Sequence, residues 1–189
     1  MDLDTRLASE EDFSHIAGLT RERADLLLPL ALSGERHVTG FCLTRHRFTY
    51  LIHHPGLVLL LDREVPIGYS VLMCARYAVC CPSISPALIQ TSRCWHERTV
   101  SHIGVIAQRY VAIPYAETPA CWNMLAEAEQ LTFHEQNTGG DKFSVLFQVI
   151  PFSDSISLNR AILLGFSITG RHYLKDGSGL YMLEKYLLP

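Results

Sequence analysis

No stretch of this chain approaches the ~20 apolar residues needed to span a bilayer. The longest apolar runs, such as Gly56 to Leu61, are far shorter. Charge is scarce too. Asp, Glu, Lys and Arg make up 19% of the 189 residues against 48% apolar, a balance that suits a soluble globular domain and not a disordered chain. The net charge of −3 gives no general attraction to nucleic acid or to an anionic membrane. Tyr69, Tyr77 and Trp95 lack a stripe of basic neighbours, which argues against base stacking. There is no Cys-x-x-Cys pair among the cysteines at 42, 74, 80, 81, 94 and 121, so a zinc ribbon is not expected. The chain is too long and too apolar for a disulfide-stapled scaffold, and its thiols read as reduced core residues. His53 and His54 are adjacent and do not share one metal readily. His134-Glu135 lacks the second histidine of a zinc-protease helix, so no metal is expected. Gly177-Ser178-Gly179 reads as a hairpin turn without the strand-to-helix setting of a nucleophile elbow. Internal repeats and low-complexity segments are missing. The acidic start MDLDTRLASEEDF lacks a signal-peptide pattern, and a cytoplasmic protein is expected.

What is present is an alternation of β-like and helical patterns. Leu3 to Leu7 predicts a first strand. A helix begins at Glu10 to Asp12 and continues with apolar positions at Ile16, Leu19 and Leu26-Leu27, until Pro29 bends or ends it. Residues 39–44 read as a short extended piece. Arg45 to His53 reads as a second helix that stops before Pro55-Gly56. Leu57 to Asp62 and Pro66 to Arg76 predict a hairpin turning at Asp62-Arg63-Glu64. Residues 77–84 are ambiguous, and residues 87–96 suggest an inserted helix. Ser101 to Ile113 is a long β-run ending at Pro114, followed by a loop, Tyr115 to Pro119. Ala120 to Gln136 predicts a helix, closed by Asn137-Thr138-Gly139-Gly140-Asp141. Strand Val145 to Ile150, a polar loop at Pro151 to Ser155, helix Ile156 to Leu164, Gly165-Phe166 and two further β-runs complete the chain. The order is β-α-α-β-β-(insert)-β-α-β-α-β-β, with a largely antiparallel first half.

That order, with Gly165-Phe166 after the last helix and the stretch GFCLTRHRFTYLIHHPGLVLLLDREVPIGYSVL early on, resembles the GCN5-related N-acetyltransferases, the GNAT family. The resemblance covers nearly the whole chain. It implies an α/β GNAT fold with a mixed, mostly antiparallel central sheet flanked by helices and splayed between the fourth and fifth strands, in a single domain over residues 1–189. Pro114 and Pro151, each lacking a ladder donor, are expected to mark where those strands part. The activity implied is transfer of an acetyl or acyl group from acyl-CoA to a primary amine of a small molecule or peptide. Acetyl-CoA or another acyl-CoA would be a substrate, and a homodimer is possible.

In that family the loop after the fourth strand holds the CoA pyrophosphate with backbone N–H groups and glycines. Carried over, the donor-binding residues are Val111, Ala112, Ile113, Glu117, Thr118, Ala120, Cys121 and Trp122. This chain departs from the pattern. Glu117 stands where a basic or amide residue is usual, Thr118, Ala120 and Trp122 replace the glycines, and Pro119 lacks a donor. No Lys or Arg occurs between Arg109 and Lys142, while that interval carries Glu117, Glu127, Glu129, Glu135 and Asp141. Further along, Asp154, at the family's Asn position, and Ser157, at its small residue, complete the donor-binding set that the resemblance implies. Ala161 stands where the family has the tyrosine that protonates the leaving thiolate. Tyr173 and Tyr110 are substitute acids, with Tyr173 the catalytic candidate, and His102 and Gln108 lie on the fourth strand as polar candidates. Cys121, at a helix start, also admits a nucleophilic reading beside that of a buried core thiol. Two other functions stay open: a non-catalytic GNAT-fold module for binding or oligomerisation, and an acyltransferase fed by an acyl carrier protein.

Overall fold

The computed structural model of the chain describes residues 1–32, 45–53, 56–75, 102–135, 143–174 and 177–187, with no side-chain detail over residues 23–32. The expected extended piece at 39–44, the ambiguous stretch at 77–84 and the inserted helix at 87–96 lie outside them. The elements are β1 (Leu3–Leu7), a tight helical turn at Glu10–Asp12, α1 (Phe13–Leu32), α2 (Arg45–Leu51), β2 (Gly56–Asp62), β3 (Val65–Cys74), β4 (Ile103–Val111), α3 (Ile113–Ala116), α4 (Pro119–Glu135), β5 (Val145–Pro151), α5 (Ser155–Leu163), β6 (Ser167–Tyr173) and β7 (Gly179–Tyr186). They form two compact units, one of residues 1–72 and 108–135 and the other of residues 73–107 and 136–189. β4 runs through both. The strand order is β1-β2-β3-β4-β5-β7-β6. β4 and β5 are parallel, and the recorded pairs β1–β2, β2–β3, β5–β7 and β6–β7 are antiparallel. This is the mixed, mostly antiparallel sheet with helices that the element order predicts.

In the first unit, β2 (GLVLLLD) is buried at every position but its last. Such an unbroken apolar run suits a strand covered on both faces. The helix α4 packs on β1 and β2 and buries Cys121, Leu125, Ala126 and Phe133. Ile16, Phe48, Leu51 and Tyr69 fill the core further. At the start of α1, Asp12 is buried, accepts from Arg6 Nη1 and Nη2 at 2.7 Å each, and accepts the Ser9 N–H at 2.8 Å. The hairpin β2–β3 turns on Arg63 and Glu64, with φ of 50° and 69°. Positive φ at both central residues is the geometry of a two-residue turn that normally favours Asn-Gly. At Gly68 on β3 an added Cβ would lie 2.7 Å from the Tyr110 carbonyl oxygen, so β4 approaches as closely as it does because glycine stands there.

In the second unit the parallel register of β4 and β5 covers Ile103↔Val145, Gly104↔Leu146 and Val105↔Phe147. Pairing therefore ends well before Pro114 and Pro151, the residues expected to end it. Pro151 itself pairs with Leu180 of β7. Its missing donor faces no parallel neighbour. Ile103, Val105, Val145, Phe147, Ala161, Phe166 and Leu183 are buried. Gly165, at φ 88°, ends α5 in the left-handed region, as Gly165-Phe166 after the helix leads one to expect.

Two local expectations need correction. α1 continues through Pro29 to Leu32, so proline does not end it. Residues 115–119 are not an open loop. α3 occupies Ile113–Ala116, with Pro114 in its first turn, where proline's missing N–H costs nothing and its φ is already helical.

Candidate functional site

Val111 ends β4 and is buried. The chain then makes two successive tight turns, α3 and the start of α4, in which the Tyr115, Thr118 and Cys121 N–H groups bond preceding carbonyls of the same stretch. The Ala112 N–H bonds the Ile67 carbonyl at 2.8 Å, Tyr115 N–H bonds Ala112 O at 2.9 Å, Thr118 N–H bonds Tyr115 O at 2.9 Å, and Cys121 N–H bonds Thr118 O at 3.1 Å. The Ile113 N–H points at a Glu22 carboxylate oxygen 3.5 Å away. Pro114 and Pro119 have no N–H. The indole Nε1 of Trp122 closes the same stretch by donating to Ala116 O at 2.8 Å.

Carboxylates supply the electrostatics of this region. Asp62 accepts the Tyr115 hydroxyl at 3.2 Å and the Asp2 N–H at 2.9 Å. The Asp2 N–H, seconded by the Tyr115 hydroxyl, holds the Asp62 carboxyl below its ordinary value. The bond to Asp62 in turn raises the Tyr115 phenol. Burial pushes the Cys121 thiol up, and the nearby Asp62 charge adds to it. Cys121 is fully buried, so this helix start carries a core thiol and not an activated thiolate. Cys74 and Cys121 are both free thiols.

Against these residues the expected donor set divides. Val111, Ala112 and Cys121 are buried, Thr118 and Trp122 half-buried, and Ile113, Glu117 and Ala120 exposed. All eight lie in the first unit. A phosphate group fits this loop poorly. The N–H groups of Ala112, Ile113, Tyr115, Thr118 and Cys121 are engaged, two positions are prolines, and Glu22, Asp62 and Glu117 bring negative charge. Glu22 and Asp62 were not legible as part of this region, because they come from α1 and the β2–β3 hairpin.

Asp154 and Ser157 lie in the second unit, at the start of α5. The Asp154 Oδ1 accepts the Ser157 N–H at 2.9 Å, which makes Asp154 an N-cap. Ala161 is 1% exposed within the same helix. Tyr173 is 64% exposed on β6, and its ring meets Phe152 edge-on with centroids 5.6 Å apart.

On β4, Arg109 and Glu129 of α4 make a two-pronged ion pair, Nε to Oε1 at 2.6 Å and Nη2 to Oε2 at 2.5 Å. Since side chains alternate along a strand, Gln108 and Tyr110 point to the face opposite α4. There Tyr110 meets Tyr69, ring centroids 6.0 Å apart, and Tyr69 lies 3.4 Å from the Thr20 hydroxyl of α1. Gln108 is 6% exposed, and among the described residues neither its amide oxygen nor its amide nitrogen has a hydrogen-bond partner.

Among the described residues, no helix is long and apolar enough to cross a membrane. Comparison with protein-family models and with curated proteins gives no match. Solved structures do match over essentially the whole chain. One is the NatC complex bound to Gag peptide and CoA, whose matched chain is 16% identical with all of both chains covered and a TM-score of 0.64. Another is an acetyltransferase of the GNAT family from Streptococcus pneumoniae, 12% identical over 98% of this chain and 99% of the other, at 0.65. A third is the ribosomal-protein-alanine N-acetyltransferase of Brucella melitensis, 16% identical over 97% and 99%, at 0.64. This chain has the fold of the GNAT acetyltransferases.

Proposed function

We propose that residues 1–189 act as one cytoplasmic acyltransferase domain that moves an acetyl or acyl group from an acyl thioester to a primary amine of a small molecule or a peptide. The supporting observation is the match of the fold from end to end, including to a chain in a complex that carries CoA and peptide. The amine nitrogen forms a bond to the acyl carbon, the carbon–sulfur bond breaks, the amine gives up a proton and the thiolate takes one. Ala161 supplies no proton, so the acid is assigned to another group, and Tyr173 is the candidate. Its exposed phenol can exchange protons with water, while its ring is held against Phe152. Asp154 acts by capping α5.

A non-catalytic role as a binding or oligomerisation module is the second reading. It is favoured by one specific pair of observations, the internally bonded loop after β4 and the buried Ala161. Release of free thiol from acetyl-CoA, or from an acylated carrier protein, in the presence of a panel of primary amines and N-terminal peptides tests the choice. Turnover that disappears in Tyr173→Phe supports the enzyme and its acid. Absence of both turnover and thioester binding leaves the non-catalytic module.

A further inference from the structure

In the second unit, Arg171 pairs with Tyr181 and Tyr173 with Gly179 across β6 and β7, so these four positions share one face. Gly179 leaves its place on that face empty, and the Phe152 ring fills it, where a Cβ on Gly179 would collide with the ring. The Phe152 N–H bonds the Gly179 carbonyl at 2.9 Å and holds the ring there. Ring centroids lie 4.4 Å apart for Phe152 and Tyr181 and 5.6 Å apart for Phe152 and Tyr173. The Arg171 guanidinium carbon stands 5.7 Å from the Tyr181 centroid. The result is one row, Arg171–Tyr181–Phe152–Tyr173, with Arg171 and Tyr173 exposed and the two middle rings half-buried. Arg6 and Arg109 each grip a carboxylate, whereas Arg171 has the Tyr181 ring and no carboxylate among the described residues. Asp154 is engaged as the cap of α5, and Glu184 points to the other face by alternation. A guanidinium stacked on a ring keeps its in-plane N–H groups free to take a carboxylate two-pronged. β6 is also the last strand of the sheet, and among the described residues no strand lies along its outer edge. Its irregularity falls between Ile168 and Gly170, which leaves residues 170–173 regular.

We infer that β6 receives an extended acidic segment of a partner protein as an added strand along residues 170–173. One carboxylate of the segment meets Arg171. Two positions along, an aromatic or large apolar side chain lies on the Tyr173 and Phe152 rings. The spacing follows from the pleat, because same-face side chains recur every second residue, roughly 6–7 Å apart, in β6 and in any strand laid beside it. The charge of the row disfavours a basic segment, and a wholly apolar one leaves the guanidinium without a partner. This interaction goes beyond acyl transfer and does not depend on it. A charge on an edge strand also serves to keep sheets from pairing edge to edge, and the two roles differ in what replacing Arg171 does.

Calorimetry on the full chain at low salt uses N-acetylated, C-amidated hexapeptides, which carry no amine to be acylated. The probe is Thr-Glu-Thr-Phe-Thr-Thr, with its acid and its ring two positions apart. It is compared with its glutamine and arginine analogues and with an isomer that sets glutamate beside phenylalanine, on opposite faces. The probe should bind about three- to tenfold tighter than the glutamine analogue, the range of an exposed charge pair. The arginine analogue should bind more weakly still, and the isomer no better than the glutamine analogue. The preference for glutamate should vanish in Arg171→Gln and shrink in about 0.5 M salt, while Arg171→Lys keeps part of it. Tyr173→Ala should weaken the glutamate and glutamine peptides alike. Equal binding of those two peptides to the wild type overturns the inference, as does a preference that survives Arg171→Gln or a probe that fails to bind at ~5 mM. Self-association of Arg171→Gln with unchanged peptide affinity overturns it too, and leaves Arg171 as a guard of the edge. Probe binding that leaves Tyr173-dependent turnover of an amine unsuppressed supports the docking and removes Tyr173 as the acid. Should Arg171→Gln fail to fold, the four peptides on the wild type decide alone.

Discussion

Breaking the Arg109–Glu129 pair should unfold the first unit more than any surface change of equal size. Glu129 is 0% and the Arg109 side chain 10% exposed, and the two prongs measure 2.6 and 2.5 Å. Replacing Glu129 by Leu leaves a guanidinium under α4 with its carboxylate gone, and removal of one partner from a buried pair costs about 3–5 kcal/mol. For a chain of this size each kcal/mol moves the melting temperature by about 2–4 °C, so the expected loss is roughly 6–20 °C. Arg109→Met should lose a similar amount by stranding the carboxylate. The double variant Arg109→Met with Glu129→Leu should recover most of it, because two apolar side chains of matching volume need no desolvation of charge. Urea titrations of the four proteins, followed by circular dichroism, give the coupling energy directly. Single variants that each lose less than about 1 kcal/mol, or a double variant whose loss equals the sum of the singles, would refute the assignment of this contact as a desolvated ion pair.

Acid should weaken the start of α1. The Arg6 guanidinium, with the Ser9 N–H, holds the Asp12 carboxyl at about 2, below its unfolded value of about 3.9, so its stabilisation is present above about pH 4 and is lost as pH falls toward 2. Arg6 is nearly half exposed, which reduces the effect to roughly 1–2 kcal/mol. The difference in melting temperature between wild type and Asp12→Asn should shrink over that window, and a constant difference would contradict it. Replacing Arg63-Glu64 by Asn-Gly should stabilise the β2–β3 hairpin by about 1 kcal/mol, since both residues sit at positive φ; a lower denaturation midpoint would count against that turn geometry. Gly68→Ala should cost roughly 2–3 kcal/mol, because the methyl meets the Tyr110 carbonyl and backbone yields poorly. An unchanged melting temperature would show that β3 and β4 do not approach so closely. Finally, Cys121 should resist thiol reagents in the native protein and react only at the rate of unfolding, checked by peptide mapping of the labelled sites; fast native labelling would restore the activated-thiolate reading.

Much of the fold was legible because its signals are local. Leu3–Leu7, the hairpin at Asp62-Arg63-Glu64, the helix after Pro119 and the strand from Val145 follow from apolar periodicity and breaker residues. The differences arise where a local rule met a second one. Pro29 was read as bending or ending the helix, and α1 runs through it to Leu32. Pro114 was read as a strand end that parts two strands, and it instead starts α3, a position proline suits equally well. The limit of β4–β5 pairing at Val105 and Phe147 has no marker in the sequence at all.

The site divides along the same line. That the loop after β4 suits phosphate poorly was visible in Glu117, Pro119 and the missing glycines. That Glu22 and Asp62 join it was not, since they lie 91 and 53 residues away in the chain from the groups they contact. The unmatched amide of Gln108 is likewise a property of its surroundings and not of its residue type. The hydrogen bonds also explain the composition. Glycines are required in such a loop when backbone must approach a phosphate closely. Once Tyr115, Thr118 and Cys121 N–H groups turn inward onto the preceding carbonyls, those three groups have no need of a phosphate's close approach, and side chains at Thr118, Ala120 and Trp122 meet no such demand. Trp122 then takes up the Ala116 carbonyl with its indole N–H and fixes the closed form. The absent glycines and the self-bonded backbone are thus one physical state. Restoring glycine at 118, 120 and 122 would loosen the turn without creating a phosphate site, because the prolines and the carboxylates of Glu22, Asp62 and Glu117 would remain.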